Sequence, residues 1–172
     1  MSAFWDWAVA AYGGAGVAEA CLALQDDHDQ CVPLLLWAAW RATQGVATPE
    51  VMAAKATGVA RAWSVTAIAP LREIRRRLKT ALSDDDDSVR LPLCEQVKAV
   101  ELAAERALMT VLAALPAVSG GQEVSPEDLC REGLDACAHA WGEKMPPLAR
   151  DRLLRALTKG DFLRYDARAR PG

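Results

Sequence analysis

The chain is poor in nearly every signal that marks a specific chemistry. It has only two histidines, and its five cysteines, Cys21, Cys31, Cys94, Cys130 and Cys137, show no paired spacing. Zinc sites need thiolates and imidazoles at tight spacing, and small disulfide-stapled folds need an even, patterned set. Neither is expected, and no metal or cofactor is expected. The glycine patterns G-x-x-x-x-G-K-S/T, G-x-G-x-x-G and G-x-S-x-G are all missing, so nucleotide binding and acyl transfer lack their usual anchors. Asp26, Asp27, His28 and Asp29 are consecutive; successive helical side chains point about 100° apart and cannot converge on one ion. The acidic run Asp84 to Asp87 has Ser88 where a D-D-x-x-D motif needs its last carboxylate. No catalytic motif is present, and the sequence leaves enzyme activity an open question. Long apolar runs are missing too: VPLLLWAAW stops at Arg41, at about half of the roughly 20 residues that span a bilayer. The start, MSAFWDWAVA, does not resemble a secretory signal. A cytoplasmic, reducing location without a transmembrane segment is therefore expected.

What is present points to helices. Of 172 residues 52% are hydrophobic and 25% charged, a balance that suits one globular domain burying about 70% of its extended surface. Alanine and leucine are abundant, and no stretch alternates β-branched or aromatic residues with polar ones. The expected fold is all-α: a single-domain helical bundle over residues 1–160, with no β-sheet and a flexible basic tail at 161–172. Helix starts are signalled at Thr48-Pro49-Glu50 and Ser125-Pro126-Glu127-Asp128, and also at Pro33 and Pro146-Pro147. Two long apolar stripes follow helical spacing. One is Val59, Trp63, Ala67, Leu71, Ile74, Leu78 and Leu82; the other is Leu93, Val97, Val100, Ala104, Leu108, Val111 and Leu115. Pro70 should kink or break the first. The polar link around Asp86 makes the two a long antiparallel hairpin with facing seams, and counting outward sets Arg72 near Glu101.

Charge is unevenly placed. The stretch PLREIRRRLK is strongly basic, and Arg72, Arg75, Arg76 and Lys79 share one helical face beside the apolar seam. Two readings stand side by side. Arginine forks match phosphate or carboxylate oxygens two at a time, so the strip is a candidate anion or partner site; alternatively it pairs with Glu101 and Glu105 across the hairpin. Six tryptophans against two phenylalanines and two tyrosines make Trp5, Trp7, Trp37 and Trp40 candidates for an aromatic groove, with core packing as the alternative. The overall acidity, at net charge −3, and the lack of aromatics among the basic residues argue against nucleic acid.

With these residues in view the chain resembles a family of uncharacterised bacterial proteins, a domain of unknown function. The resemblance rests on F-W-x-W-A at Phe4 to Ala8, C-L-x-L-Q-D at Cys21 to Asp26, P-L-R-x-x-R-R-x-L-K at Pro70 to Lys79, and E-L-x-x-E-R at Glu101 to Arg106. It departs from the family pattern at Asp29 and Pro33. It implies no reaction. The reading that results is a helical binding or interaction module with a polar Arg/Glu groove on its central hairpin, its partner either a protein or a small anionic ligand. One alternative is an enzyme or small-molecule binder that holds an anionic group with Arg72, Arg75 or Arg76; the other is a weak nucleic-acid or membrane-surface binder.

Overall fold

The computed structural model describes residues 3–80, 87–117, 124–142 and 145–164. Along it run α1 (Ala3–Tyr12), α2 (Val17–His28), α3 (Val32–Thr43), α4 (Glu50–Trp63), a π turn (Ser64–Ile68), α5 (Ala69–Lys79), α6 (Asp87–Ala113), α7 (Pro126–Trp141) and α8 (Pro147–Lys159). The fold is all-α, with no strand among the described residues. Proline stands in the first or second position of α3, α7 and α8, where its missing N–H costs nothing and its fixed φ already suits a helix. The Ser125 hydroxyl caps α7 by accepting from the Asp128 amide. Thr48 does not act this way: Pro49 occupies the cap of α4, and Thr48 is buried against Gly133. Gly16 enters α2 at φ 82°, a left-handed conformation that favours glycine.

The core is organised around α3, whose residues Pro33 to Ala39 are all buried. It packs on α7, α6, α1, α2 and α4, and Trp37, Phe4, Leu24, Leu108 and Leu134 are among the largest fully buried side chains. Cys21, Cys130 and Cys137 fill small core positions. No single helix among the described residues is long and apolar enough to cross a membrane.

Several expectations are corrected. The break ascribed to Pro70 lies upstream, as the π turn, where the Ala69 amide bonds back five residues to the Ser64 carbonyl. A proline ring clashes with the carbonyl four residues before it, and widening the preceding turn relieves that clash. The two apolar stripes do not form a buried seam. No residue of α5 is buried, Ile74 is exposed, and Leu82 lies outside the described residues. On α6 the inward face is Arg90, Cys94, Glu101, Leu108, Met109 and Leu112, whereas Leu93, Val100 and Val111 are exposed. The reason is that α1 and α3 take the inner side of α6, while α5 approaches its flank and meets it through ion pairs. The boundary expected at Gly160 also moves. Leu163 is buried and the Phe162 carbonyl accepts the Trp7 indole N–H at 3.2 Å, so the chain is packed beyond α8. The remainder of the expected tail, 165–172, and the aspartate link at 81–86 lie outside the described residues.

Candidate functional site

The site begins with the contact between α5 and α6. Arg72 donates from Nε to Glu101 Oε1 at 2.9 Å and from Nη2 to Glu105 Oε1 at 3.0 Å, and Arg75 Nε donates to Glu101 Oε2 at 2.5 Å. Further along, the Arg75 carbonyl accepts from the Cys94 thiol at 3.8 Å and the Leu78 carbonyl accepts from Arg90. Partners therefore descend α6 as they ascend α5, and Arg72 stands opposite Glu101 as the count along the sequence expected. Glu101 is held by two guanidinium groups, Glu105 by one.

Five helices line a partly open cavity of about 490 Å³ over this network. Trp5, Ala8, Val9 and Tyr12 of α1, Leu22 and Gln25 of α2, and Val32, Pro33 and Leu36 of α3 make walls that are largely apolar. Leu102 and Met109 of α6 extend them, and Arg72, Arg75, Lys98, Glu101 and Glu105 supply the charged lining. A second, more polar cavity of about 360 Å³ adjoins the first and shares Gln25, Val32, Pro33, Arg72 and Glu105 with it; Arg76, Cys31, Trp141 and Ser64 and Ile68 of the π turn line it as well. The Arg72–Glu105 pair therefore borders both spaces.

The carboxyl groups differ in their proton affinity. Burial pushes Glu101 up, but the hydrogen bonds from Arg75 and Arg72 outweigh it and hold the carboxyl below its usual range. For Glu105 burial dominates and the neighbouring Glu101 adds to it, so its carboxyl sits above the usual range despite Arg72. Tyr12 is raised by burial and then by the negative groups around it, Glu105 among them. Arg75 is raised by its bond to Glu101. The cavity combines a carboxyl held below its usual range, a second raised above it, and two guanidinium groups with N–H donors to spare, since each guanidinium carries five.

The candidates from the sequence divide. Arg72, Arg75, Glu101 and Glu105 come together at the cavity. Arg76 faces only the second space and stands 4.0 Å from Asp26, both side chains more than half exposed. Lys79 is exposed and lines neither cavity. Of the four tryptophans only Trp5 reaches the first cavity, with the Arg106 guanidinium 5.1 Å from its ring centre. The expected aromatic groove is not formed: Trp37 is fully buried, Trp40 stacks on Phe4 at 5.2 Å, and Trp7 packs beside Phe4 and bonds Phe162. Indoles this large fill the space between α1 and α3. Lys98 and Met109 were missed as site residues, although their spacing from Glu101 and Glu105 places all four on one face of α6. Among the described residues no group of three His, Cys, Asp or Glu could hold a metal ion.

Comparison with known families gives one match, to a protein family of unknown function (DUF2390), over residues 3–112. The chain belongs to the DUF2390 family. The DUF2390 stretch runs from the start of α1 into the last turn of α6 and contains every residue lining the first cavity. The pair Arg72 and Glu105 also lies in it, whereas Trp141, α7 and α8 lie beyond. No curated protein and no solved structure matches the chain.

Proposed function

We propose that the protein is a binding module for a small amphipathic acid, whose apolar body fills the first cavity and whose anionic head meets Arg75 and Lys98 at its charged end. The observation that carries this reading is the convergence of apolar walls from α1, α2, α3 and α6 on a cluster of two arginines and a lysine against two glutamates. Cavities of a few hundred Å³ with apolar walls and a few polar groups are the usual form of small-molecule sites. Arg72, Arg75 and Lys98 all line the cavity, and each guanidinium keeps N–H donors beyond those bound to Glu101 and Glu105 for an acid head. Binding is favoured over catalysis because Glu101, paired twice, is poorly suited to take a proton. An extended nucleic-acid surface is disfavoured because Arg72 and Arg75 turn inward to glutamates.

The test is a thermal-shift and calorimetric series on the full chain with decanoate, decyl phosphate, decanol and decyltrimethylammonium. At a hundred times its dissociation constant a ligand stabilises by about 2.7 kcal/mol, so a bound acid should raise Tm by roughly 5–11 °C in a chain of this size. Met109→Trp, which fills the apolar wall, should abolish the shift. The proposal fails if no acid shifts Tm, or if the alcohol or the cation matches the acids.

A further inference from the structure

The second cavity is lined differently from the first. Gln25 and Asp29 of α2, Ser64 at the start of the π turn, and Glu73 and Arg76 of α5 give it hydrogen-bonding groups of both kinds. One wall is the Trp141 ring, which is fixed by the rest of the chain: its Nε1 donates to the Asp29 carbonyl at 2.7 Å, and the Arg61 guanidinium stands 4.9 Å from the ring centre. A wall held in place before a ligand arrives costs little ordering when one binds.

We propose that this cavity is the second half of the ligand site: the acid bound in the first carries at its head another, uncharged group that both donates and accepts hydrogen bonds, an amide in the simplest case, and this group occupies the second cavity. The inference rests on the acid-binding reading of the first cavity and adds to it the chemistry of the head. Three observations support it. The first is continuity. Five residues, Gln25, Val32, Pro33, Arg72 and Glu105, belong to both linings. Arg75 and Arg72 hold opposite oxygens of the same Glu101 carboxylate, so an acid at Arg75 has the second cavity next to it, beyond Arg72.

The second observation is charge. Asp29, Glu73 and Glu105 face the cavity together with Arg72 and Arg76. Arg72 is bonded to Glu101 and Glu105, Arg76 stands 4.0 Å from Asp26, and Glu73 accepts from Arg77 at 2.8 Å. An anion placed there meets three carboxylates and a cation meets two guanidinium groups, whereas an amide can donate to the first and accept from the second. The third is the cost of an apolar occupant. It would displace water from these groups and return no hydrogen bond, and a polar site rejects such an analogue more strongly than an apolar site rejects an extra methylene.

The test is calorimetric titration of the full chain at pH 7 with decanoate and with the N-decanoyl conjugates of glutamine, leucine, glutamate and lysine. The glutamine conjugate should bind at least about tenfold more tightly than the leucine conjugate, and the glutamate and lysine conjugates more weakly than glutamine. Ala69 is exposed and lines only the second cavity. Ala69→Trp, which fills that space, should erase the advantage of glutamine over leucine and leave decanoate binding within about twofold. Arg76→Met, at a side chain more than half exposed, should reduce the same advantage. Decanoate binding with glutamine no better than leucine, or with glutamate or lysine equal to glutamine, overturns this proposal and leaves the first reading standing. So does an advantage that survives both substitutions. Failure of decanoate and of every conjugate overturns both.

Discussion

Replacing Glu101 by glutamine should remove the acceptor that joins α5 to α6 while leaving side-chain shape almost unchanged. Glu101 accepts from Arg72 at 2.9 Å and from Arg75 at 2.5 Å, and a hydrogen bond to a charged group contributes about 1.5–3 kcal/mol net. If both guanidinium groups were fully buried, breaking the network would cost about 3–5 kcal/mol or more. They are 21% and 20% exposed, so water recovers part of the loss, and Glu105 can take a larger share of Arg72. The expected cost at pH 7 is therefore about 2–3 kcal/mol, or roughly 4–12 °C in Tm.

The same variant has a pH signature. The Glu101 carboxyl is held below its ordinary value of 4.5, so its stabilising contribution is fully present above that value and is lost as pH falls through the depressed folded-state value. The difference in Tm between the wild type and Glu101→Gln should be constant from about pH 8 to 5 and close at lower pH. Thermal melts followed by circular dichroism across that range are sufficient. A loss below about 2 °C at pH 7, less than half the smallest expected shift, or a gap as wide at pH 3 as at pH 7, would refute the assignment of Glu101 as the shared acceptor.

Glu105 should behave in the opposite sense. Burial raises its carboxyl above the ordinary value, so its contribution favours the fold below 4.5 and is lost as pH rises through the raised folded-state value; the Tm of Glu105→Gln relative to wild type should improve from pH 5 to pH 8, and a flat difference would count against it. Ending the chain at Gly160 instead of Arg164 removes buried Leu163 and the Phe162 carbonyl that Trp7 uses. A loss of at least about 1.5 kcal/mol, roughly 3–6 °C, is expected from differential scanning fluorimetry, and an unchanged Tm would show that the segment is not docked. Burial pushes the Cys21, Cys130 and Cys137 thiols up to about 12 and half-buried Cys31 up to about 11. An aromatic disulfide reagent at neutral pH should therefore find no fast thiol in the folded chain and all five in denaturant, with Cys31 the first to react; a rapid native-state reaction would contradict this.

The helices were legible because their signals are local: proline at the first turn, alanine and leucine through the interiors, and the Ser125 cap each act within one turn of chain. So was the opposition of Arg72 and Glu101, which needs only a turn at the aspartates and a count. The burial of α6 was not legible, and the reason is particular to that helix. Its most regular apolar row, Leu93, Val100 and Val111, competes with a mixed row, Cys94, Glu101, Glu105, Leu108 and Leu112. Periodicity alone favours the purer row, since carboxylates normally mark the solvent side. The mixed row turns inward because α5 brings two guanidinium groups to those carboxylates and α3 packs its buried face on the same helix, and both partners are remote in sequence. The same circumstance hid Met109, on the inward row, and Lys98, exposed and paired with Glu95 at its edge; both acquire meaning only once that row is known to line a cavity. A helix that spends its ionic face inward has its apolar row left over. Valines and a leucine left 40–70% exposed are ordinary on a protein surface, so the burial of α6 is decided by the partners it meets and not by the purity of its rows.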